Sequence, residues 1–256
     1  MKTVVEAALG RPSLALAAVV GLLPIACWAW VVAMARDMYG PMSGASAWMM
    51  TITWEWPRLL LLWAMWAAMM AGMMLPTITP RLLLYARAMR TRANVTDASA
   101  RIYAMAAGYV LVWALFSVGA TVLQRVLASA SLLTMMMEPA SHRAAAVLLF
   151  IAGAYQLTPL KAACLKGCRS PITAMAAGWR EGATGAFQMG VAHGVYCLGC
   201  CWALMLLLFA GGVMNLAVIL VLTAWVAIEK LAPFGVQTAR AGGLLLLAAA
   251  VWMWTR

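Results

Sequence analysis

The sequence predicts an all-α polytopic membrane protein with about seven transmembrane helices, and three observations support this. Hydrophobic residues make up 66% of the chain and charged residues only 10%, which is outside the range of soluble globular domains. Apolar segments of about 20 residues, the length that crosses a hydrocarbon core of about 30 Å, recur along the chain. Basic residues are concentrated in alternate connecting segments. Residues 1–256 are therefore expected to form one transmembrane helical domain.

The predicted spans follow directly from the apolar segments. The first contains Trp28 and Trp30, aromatic residues typical of a membrane interface, so we expect a retained helix and not a cleaved signal peptide. Pro76 and Pro80 are expected to bend or end the second span. The fourth and the last spans are short. The seven predicted spans are 13–35, 57–79, 103–125, 142–158, 184–209, 213–231 and 242–255.

The basic residues favour an orientation with the N-terminus inside and the C-terminus outside. On that topology 13 of the 18 Lys and Arg residues lie on the cytoplasmic side, as the positive-inside rule requires. Most of them fall in residues 81–101 and 159–183. The net charge of +11 then reflects topology and contact with anionic lipid headgroups, and we expect no nucleic-acid partner.

The fifth predicted span carries soft metal ligands in the stretch HGVYCLGCCW. At about 100° per residue, the side chains of His193, Cys197, Cys200 and Cys201 fall within roughly one third of the helix circumference. An intramembrane histidine is costly and usually functional. Thiolates together with an imidazole bind soft to borderline metals, so a metal site is the favoured interpretation. Simple packing of small apolar cysteines and thiol redox chemistry are the alternatives.

A second cysteine pair, Cys164 and Cys168, lies in the predicted cytoplasmic segment after the fourth span. The C-x3-C spacing is within the range used for zinc or for soft-metal capture. Lys161, Lys166 and Arg169 lie beside the pair and would favour the thiolate form, which binds metal. A structural disulfide is not expected in a reducing cytosol. Both cysteines are therefore further candidates for metal ligands.

The chain also contains 21 methionines, several of them in the second predicted span. Met69 and Met73 are one turn apart on one face of that helix. Core packing is the ordinary reason for such a stripe, and the functional interpretation is a set of thioethers, which select Cu(I). Because the fifth span offers at most three suitably placed ligands, we expect Met69 or Met73 to lie near His193 or Cys197.

Two charged residues, Glu229 and Lys230, end the sixth predicted span. An ion pair between them at the membrane interface is the ordinary interpretation. The sharper hypothesis is a carboxylate that relays protons or orients His193.

Cys27, in the first span, is expected to be a packing residue.

Several motifs together resemble a known family. The motifs are MMLPTITP, YQLTPLKAACLKGCRSP, HGVYCLGCCWALMLLLFAGGVMNL and EKL. They are similar to those of an uncharacterised family of bacterial integral membrane proteins described as predicted metal-binding. The resemblance implies a multi-helix protein of the bacterial inner membrane. Family members often carry histidines around the loop cysteines, where this chain has Ala162 and Gly167. The implied metal ligands are Cys164, Cys168, His193, Cys197, Cys200 and Cys201.

We therefore expect a multi-pass inner-membrane protein, not an enzyme, that binds a soft metal for transport, buffering or delivery to a metalloenzyme. Cu(I) is the expected ion, with Zn as the alternative; zinc rarely uses Met, which favours copper. A non-catalytic structural subunit of a larger membrane complex and a membrane thiol-redox protein are the other function classes. The expected partners are membrane lipids, with a partner membrane protein, a metallochaperone or a second copy of the chain as further alternatives.

Overall fold

The helical class is confirmed by the computed structural model. Within the described residues the chain forms helices, and its one β feature is an isolated bridge between Leu133 and Pro139. Lys2, Arg11 and Arg92, three basic residues of the orientation argument, lie outside the described part of the chain. The structure describes residues 14–40, 54–90, 97–134, 137–170 and 178–256.

The helices are named α1 to α8 in chain order. Helix α1 consists of Leu14–Ala17 and Leu23–Met38 on either side of the π-helical turn Ala18–Leu22. Helix α6, Gly182–Met205, is continued by the short helix Leu207–Gly211. The others are α2 (Trp56–Arg90), α3 (Ala98–Ser129), α4 (His142–Gln156), α5 (Pro159–Arg169), α7 (Leu216–Leu231) and α8 (Gly235–Trp254).

Among the described residues, five helices are long and apolar enough to cross a membrane, judged by length and composition alone. They are α1, α2, α3, α6 with its continuation, and α8. Helices α4 and α5 meet at a bend of 66° and would add a sixth if the pair is one broken span. Helix α7 has 16 residues, a length of about 24 Å. Helices long and apolar enough to span a membrane are confirmed, while the number seven and the orientation stay predictions.

Helix α2 does not end at its prolines, so that part of the prediction is wrong. It runs from Trp56 to Arg90 with Pro76 and Pro80 in its interior. Proline has no N–H, so Pro76 leaves the carbonyl of Gly72 without its helical donor. The indole Nε1 of Trp28 in α1 donates to that carbonyl at 3.2 Å. A neighbouring helix thus satisfies the backbone group that the proline frees, as a membrane interior requires.

Helices α3 and α6 pack with their backbones in contact. A Cβ atom on Gly190 of α6 would overlap the carbonyl oxygen of Met105, and one on Gly108 of α3 would overlap the carbonyl oxygen of Phe187. Small residues permit such close approach between membrane helices. This packing brings Tyr109 of α3 against the cysteine-bearing face of α6.

Candidate metal site

The predicted ligand face of α6 is buried. His193 is 2% exposed, and Cys197, Cys200 and Cys201 are each at most 1% exposed. All six cysteines are free. The helical spacing that places these four side chains on one side of α6 also directs them into the bundle, where other helices supply their contacts.

Cys197 is at the centre of the contacts. Its Sγ lies 2.9 Å from the hydroxyl of Tyr109 and 2.8 Å from Nζ of Lys230. The Tyr109 hydroxyl also donates to the carbonyl of Met74 in α2 at 3.0 Å. One sulfur is therefore in contact with α3 and α7, and through Tyr109 it is tied to α2.

The other two thiols of α6 are turned toward their own helix. Cys200 Sγ donates to the carbonyl of Cys197 at 3.1 Å, and Cys201 Sγ donates to the same carbonyl at 2.9 Å. Such bonds to the carbonyl three or four residues earlier are typical of short polar side chains in helices. They hold the two thiols close to Cys197, and sulfur atoms of the cysteine cluster lie near 4 Å from one another.

The C-x3-C pair is brought to the same place by the bend between α4 and α5. The thiol of Cys168 interacts with the thiols of Cys197 and Cys200. Cys164 packs on the backbone of α6, because a Cβ atom on Gly199 would lie 2.8 Å from its Sγ. Two cysteine motifs separated in the chain therefore form one cluster.

Polar contacts fix α5 in this position. The hydroxyl of Thr158 accepts from the backbone N–H of Lys161 at 3.2 Å, an N-cap that begins the helix. Lys161 Nζ lies 2.6 Å from Glu229 of α7. Arg169 Nη2, at the other end of α5, donates to the carbonyls of Ala232 at 2.5 Å and Pro233 at 2.9 Å. Lys161 and Arg169 thus anchor α5, and the charge of Lys161 also acts on the thiol of Cys164.

Glu229 and Lys230 have different partners, and the ion pair expected between them is absent. Glu229 binds Lys161 and also accepts from Gln156 and Trp225, each at 2.7 Å. Among the described residues, Glu229 makes no hydrogen bond with His193, so the structure does not show a carboxylate that orients this imidazole. Adjacent residues on a helix point about 100° apart, so the two side chains of α7 diverge, and Lys230 enters the cysteine cluster.

A thioether from α2 also reaches the cluster, and it belongs to Met74. The Met74 Sδ lies 3.5 Å from Lys230 Nζ, which also lies 3.5 Å from Cys201 Sγ. Met69 and Met73 are buried as well, but on an ideal helix they point about 140° and about 100° away from Met74. Met74, next to the predicted stripe, therefore brings a thioether of α2 to the cluster, while the placement of Met69 or Met73 near His193 or Cys197 stays a prediction.

The imidazole of His193 is stacked on the ring of Tyr109, with centroids 5.6 Å apart. Both of its nitrogens are buried and have no hydrogen-bond partner among the described residues. A buried polar group without a partner is costly. The charge of Arg81, which is also buried, acts on both His193 and Cys168. An imidazole with no other partner beside thiols is able to serve as a metal ligand.

The candidate ligand atoms of the cluster are not arranged around one common point. Among the described residues, no three His, Cys, Asp or Glu side chains are arranged as metal ligands. The hydrogen bonds explain this, because two thiols are bonded to the Cys197 carbonyl and an ammonium lies between the sulfurs. Two sulfurs at about 2.3 Å from one ion can be at most about 4.6 Å apart. The sulfur–sulfur distances near 4 Å are within that limit. Rotation of the thiols away from the Cys197 carbonyl would direct them toward one ion.

Sequence reasoning did not identify Tyr109, Met74 or Lys230 as parts of this cluster. Lys230 carried a signal, because an ionisable residue within an apolar helix is a candidate for function. Tyr109 carried no such signal, because a tyrosine in an apolar helix does not by itself indicate a functional site.

Cys27 is partly buried, and its Cβ would lie 3.3 Å from a Cβ atom on Gly72 of α2. Cys27 therefore packs between α1 and α2.

The chain matches the model of a known protein family. Residues 63–253 match the model of a family described as PpoB2, copper chaperone. The matched region begins in α2 and ends in α8, so it contains Met74, both cysteine motifs and Lys230. No curated protein and no solved structure matches the chain.

Proposed function

This chain belongs to the PpoB2 copper chaperone family, and from that premise we propose that it binds Cu(I) as cargo within the membrane and passes it to a copper protein. The observation that carries the proposal is the meeting of soft donors from three helices at one buried place. These donors are Met74 of α2, Cys168 of α5, and Cys197, Cys200 and Cys201 of α6.

The chemistry of these donors favours copper over zinc. Thiolate and thioether ligands select Cu(I), whereas structural zinc sites use Cys, His and carboxylates in closed tetrahedral geometry. The described residues of the cluster include a methionine and no carboxylate in contact with the sulfurs. His193 adds one imidazole whose nitrogens have no other partner. Copper that enters as Cu(I) stays Cu(I), so binding and release involve no electron transfer.

The arrangement also supports a role in transfer, and not only in storage. The α6 cysteines are buried in the bundle, while Cys164 and Cys168 are partly exposed on a short helix that we assign to the cytoplasmic side. A thiol pair at the edge of the cluster can receive an ion from the buried cysteines or deliver it to them by exchange of ligands. The copper would then move between the membrane interior and the cytoplasmic side of a bacterial inner membrane.

The test is the Cu(I) stoichiometry of the full chain purified in detergent. Anaerobic competition with a chromogenic Cu(I) chelator is expected to show about one tightly held equivalent, and zinc under the same conditions is expected to be held less tightly. The double variant Cys197→Ser with Cys200→Ser is expected to lose that equivalent, because two thiolates on one turn form the core of the site.

Cys27→Ser is the matched control, since Cys27 packs between α1 and α2. It should keep the copper. Full copper stoichiometry in the double variant, or no retention by the unmodified chain, would show that the cysteines of α6 serve packing alone.

A further inference from the structure

Lys230 has an unusual environment for a lysine. Its side chain lies in the last turn of α7 and is 6% exposed. Its Nζ is 2.8 Å from Cys197 Sγ and 3.5 Å from both Cys201 Sγ and Met74 Sδ. Three sulfurs from two other helices therefore surround one ammonium group.

The nearest carboxylate on the same helix is not available to Lys230. Glu229 is engaged by Lys161, Gln156 and Trp225. A buried charge is costly unless it is paired, and the partners that the structure gives to Lys230 are sulfur atoms. The same sulfurs are the donors to which we assigned the copper.

We propose that Lys230 is a resident cation of the copper site, which holds the sulfurs in the cargo-free protein and exchanges places with Cu(I). This inference rests on the proposed function. An ion bonded to Cys197, Cys201 and Met74 would occupy the space that the ammonium fills, because metal–sulfur bonds of about 2.3 Å are shorter than the present N–S distances. The two cations cannot be there together.

The displaced ammonium of Lys230 can be accommodated at the C-terminal end of α7. Lys230 lies in the last turn of α7, where the final carbonyls of a helix have no intrahelical donor and attract a positive charge. A flexible stem of four carbons allows the ammonium to move there by rotation of the side chain. As copper enters, the N–H···S hydrogen bonds and the S–H bond of Cys201 break, Cu–S bonds form, and the thiol proton is released to water, without a change of oxidation state.

The exchange has a consequence for release. When Cu(I) leaves, Cys201 takes up a proton again and the ammonium returns to the sulfurs, so the buried Cys197 sulfur is not left without a positive partner. Without Lys230 the departing ion leaves an unpaired donor set, which is unfavourable in the membrane interior. Lys230 should therefore increase the rate at which copper is handed over while leaving the number of bound ions unchanged.

The experiment compares Lys230→Gln with the unmodified chain, both loaded with one equivalent of Cu(I). Gln removes the charge and adds no soft ligand. The expected result is unchanged stoichiometry and a rate of copper loss to a Cu(I) chelator that is lower by roughly tenfold or more, the effect of one charge-assisted hydrogen bond. Lys230→Arg, which keeps the charge, should release copper faster than Lys230→Gln. Arg87→Gln removes an exposed charge from α2 and should behave like the unmodified chain.

An unchanged release rate in Lys230→Gln, or loss of copper binding in that variant alone, would overturn the exchange. Failure of the unmodified chain to hold Cu(I) would instead count against the proposed function. If Lys230→Gln does not fold, Lys230→Leu takes its place.

A second measurement needs no variant. Lysines are acylated with a membrane-permeant reagent, and the labelled peptides are identified by mass spectrometry. Copper loading is expected to increase labelling of Lys230, and no increase would contradict its displacement.

Discussion

Lys161 and Glu229 form a buried ion pair, with Nζ of the lysine 2.6 Å from Oε2 of the glutamate. The side chains are 1% and 2% exposed, and the residues are 68 positions apart in the chain. The pair joins α5, which carries Cys164 and Cys168, to α7, which carries Lys230. It therefore holds the two parts of the candidate copper site in register.

Glu229→Gln is expected to lower the free energy of unfolding by about 3–5 kcal/mol, because it leaves the buried Lys161 charge without its partner. It should also loosen α5, so that Cys164 and Cys168 are alkylated faster. Thermal unfolding in detergent and the rate of thiol alkylation measure the two effects. Glu55→Gln removes the exposed pair with Arg58 and should cost at most about 1 kcal/mol. Equal effects from the two variants would contradict the role of the buried pair.

Met74→Leu is expected to weaken Cu(I) binding, because it removes the thioether that contacts the Lys230 ammonium within the cysteine cluster. The dissociation constant should rise by at least the roughly tenfold change that accompanies loss of an outer-shell partner of a metal. Met73→Leu is the matched control, since Met73 is buried on another side of α2. A larger effect at Met73 would restore the methionine stripe that the sequence predicted.

Gly190→Ala is expected to destabilise the protein by about 1–3 kcal/mol, as overpacking does in a close-packed interior. Its Cβ would overlap the backbone of Met105, so α3 and α6 would have to separate and Tyr109 would move away from Cys197. Gly119→Ala in α3 is the control, because nothing lies within 4 Å of a Cβ at that position. Unfolding temperatures in detergent should fall for the first variant and stay the same or rise slightly for the second.

The cytoplasmic location of residues 81–101 and 159–183 can be tested by labelling single cysteines in a chain that is otherwise free of cysteine. Cysteines placed at Arg87 and Lys166, both exposed, should react with an impermeant reagent only after the membrane is opened. A cysteine at Ser129, also exposed, should react from the outside. The test is needed because Arg81, Lys161 and Lys230 are buried and contribute less to orientation than a count of charges assumes. Labelling of Lys166→Cys from the outside would reverse the proposed direction of the copper path.

Much of the architecture could be predicted because it depends on local properties. Apolar composition determines that the chain forms long buried helices, and the helical period determines which side chains share a face. The four candidate ligands of α6 are buried together for that reason. The predicted end of α2 was too early. Whether a helix continues past Pro76 depends on whether another helix supplies a hydrogen-bond donor for the carbonyl that the proline leaves free. Trp28 does so from α1, and nothing in the local sequence around Pro76 reports it.

What the sequence alone determined is the chemistry available to this protein, namely soft donors on one face of α6, a second cysteine pair, and methionines in α2. What only the tertiary structure decided is which of these meet. Met74 contacts the lysine of the cluster, Lys230 binds sulfur while Glu229 binds Lys161, and a bend of 66° brings Cys168 to Cys197. The period of a helix sets the angles between its own side chains. The rotation of one helix against another depends on contacts between residues far apart in the chain, such as Gly190 with Met105.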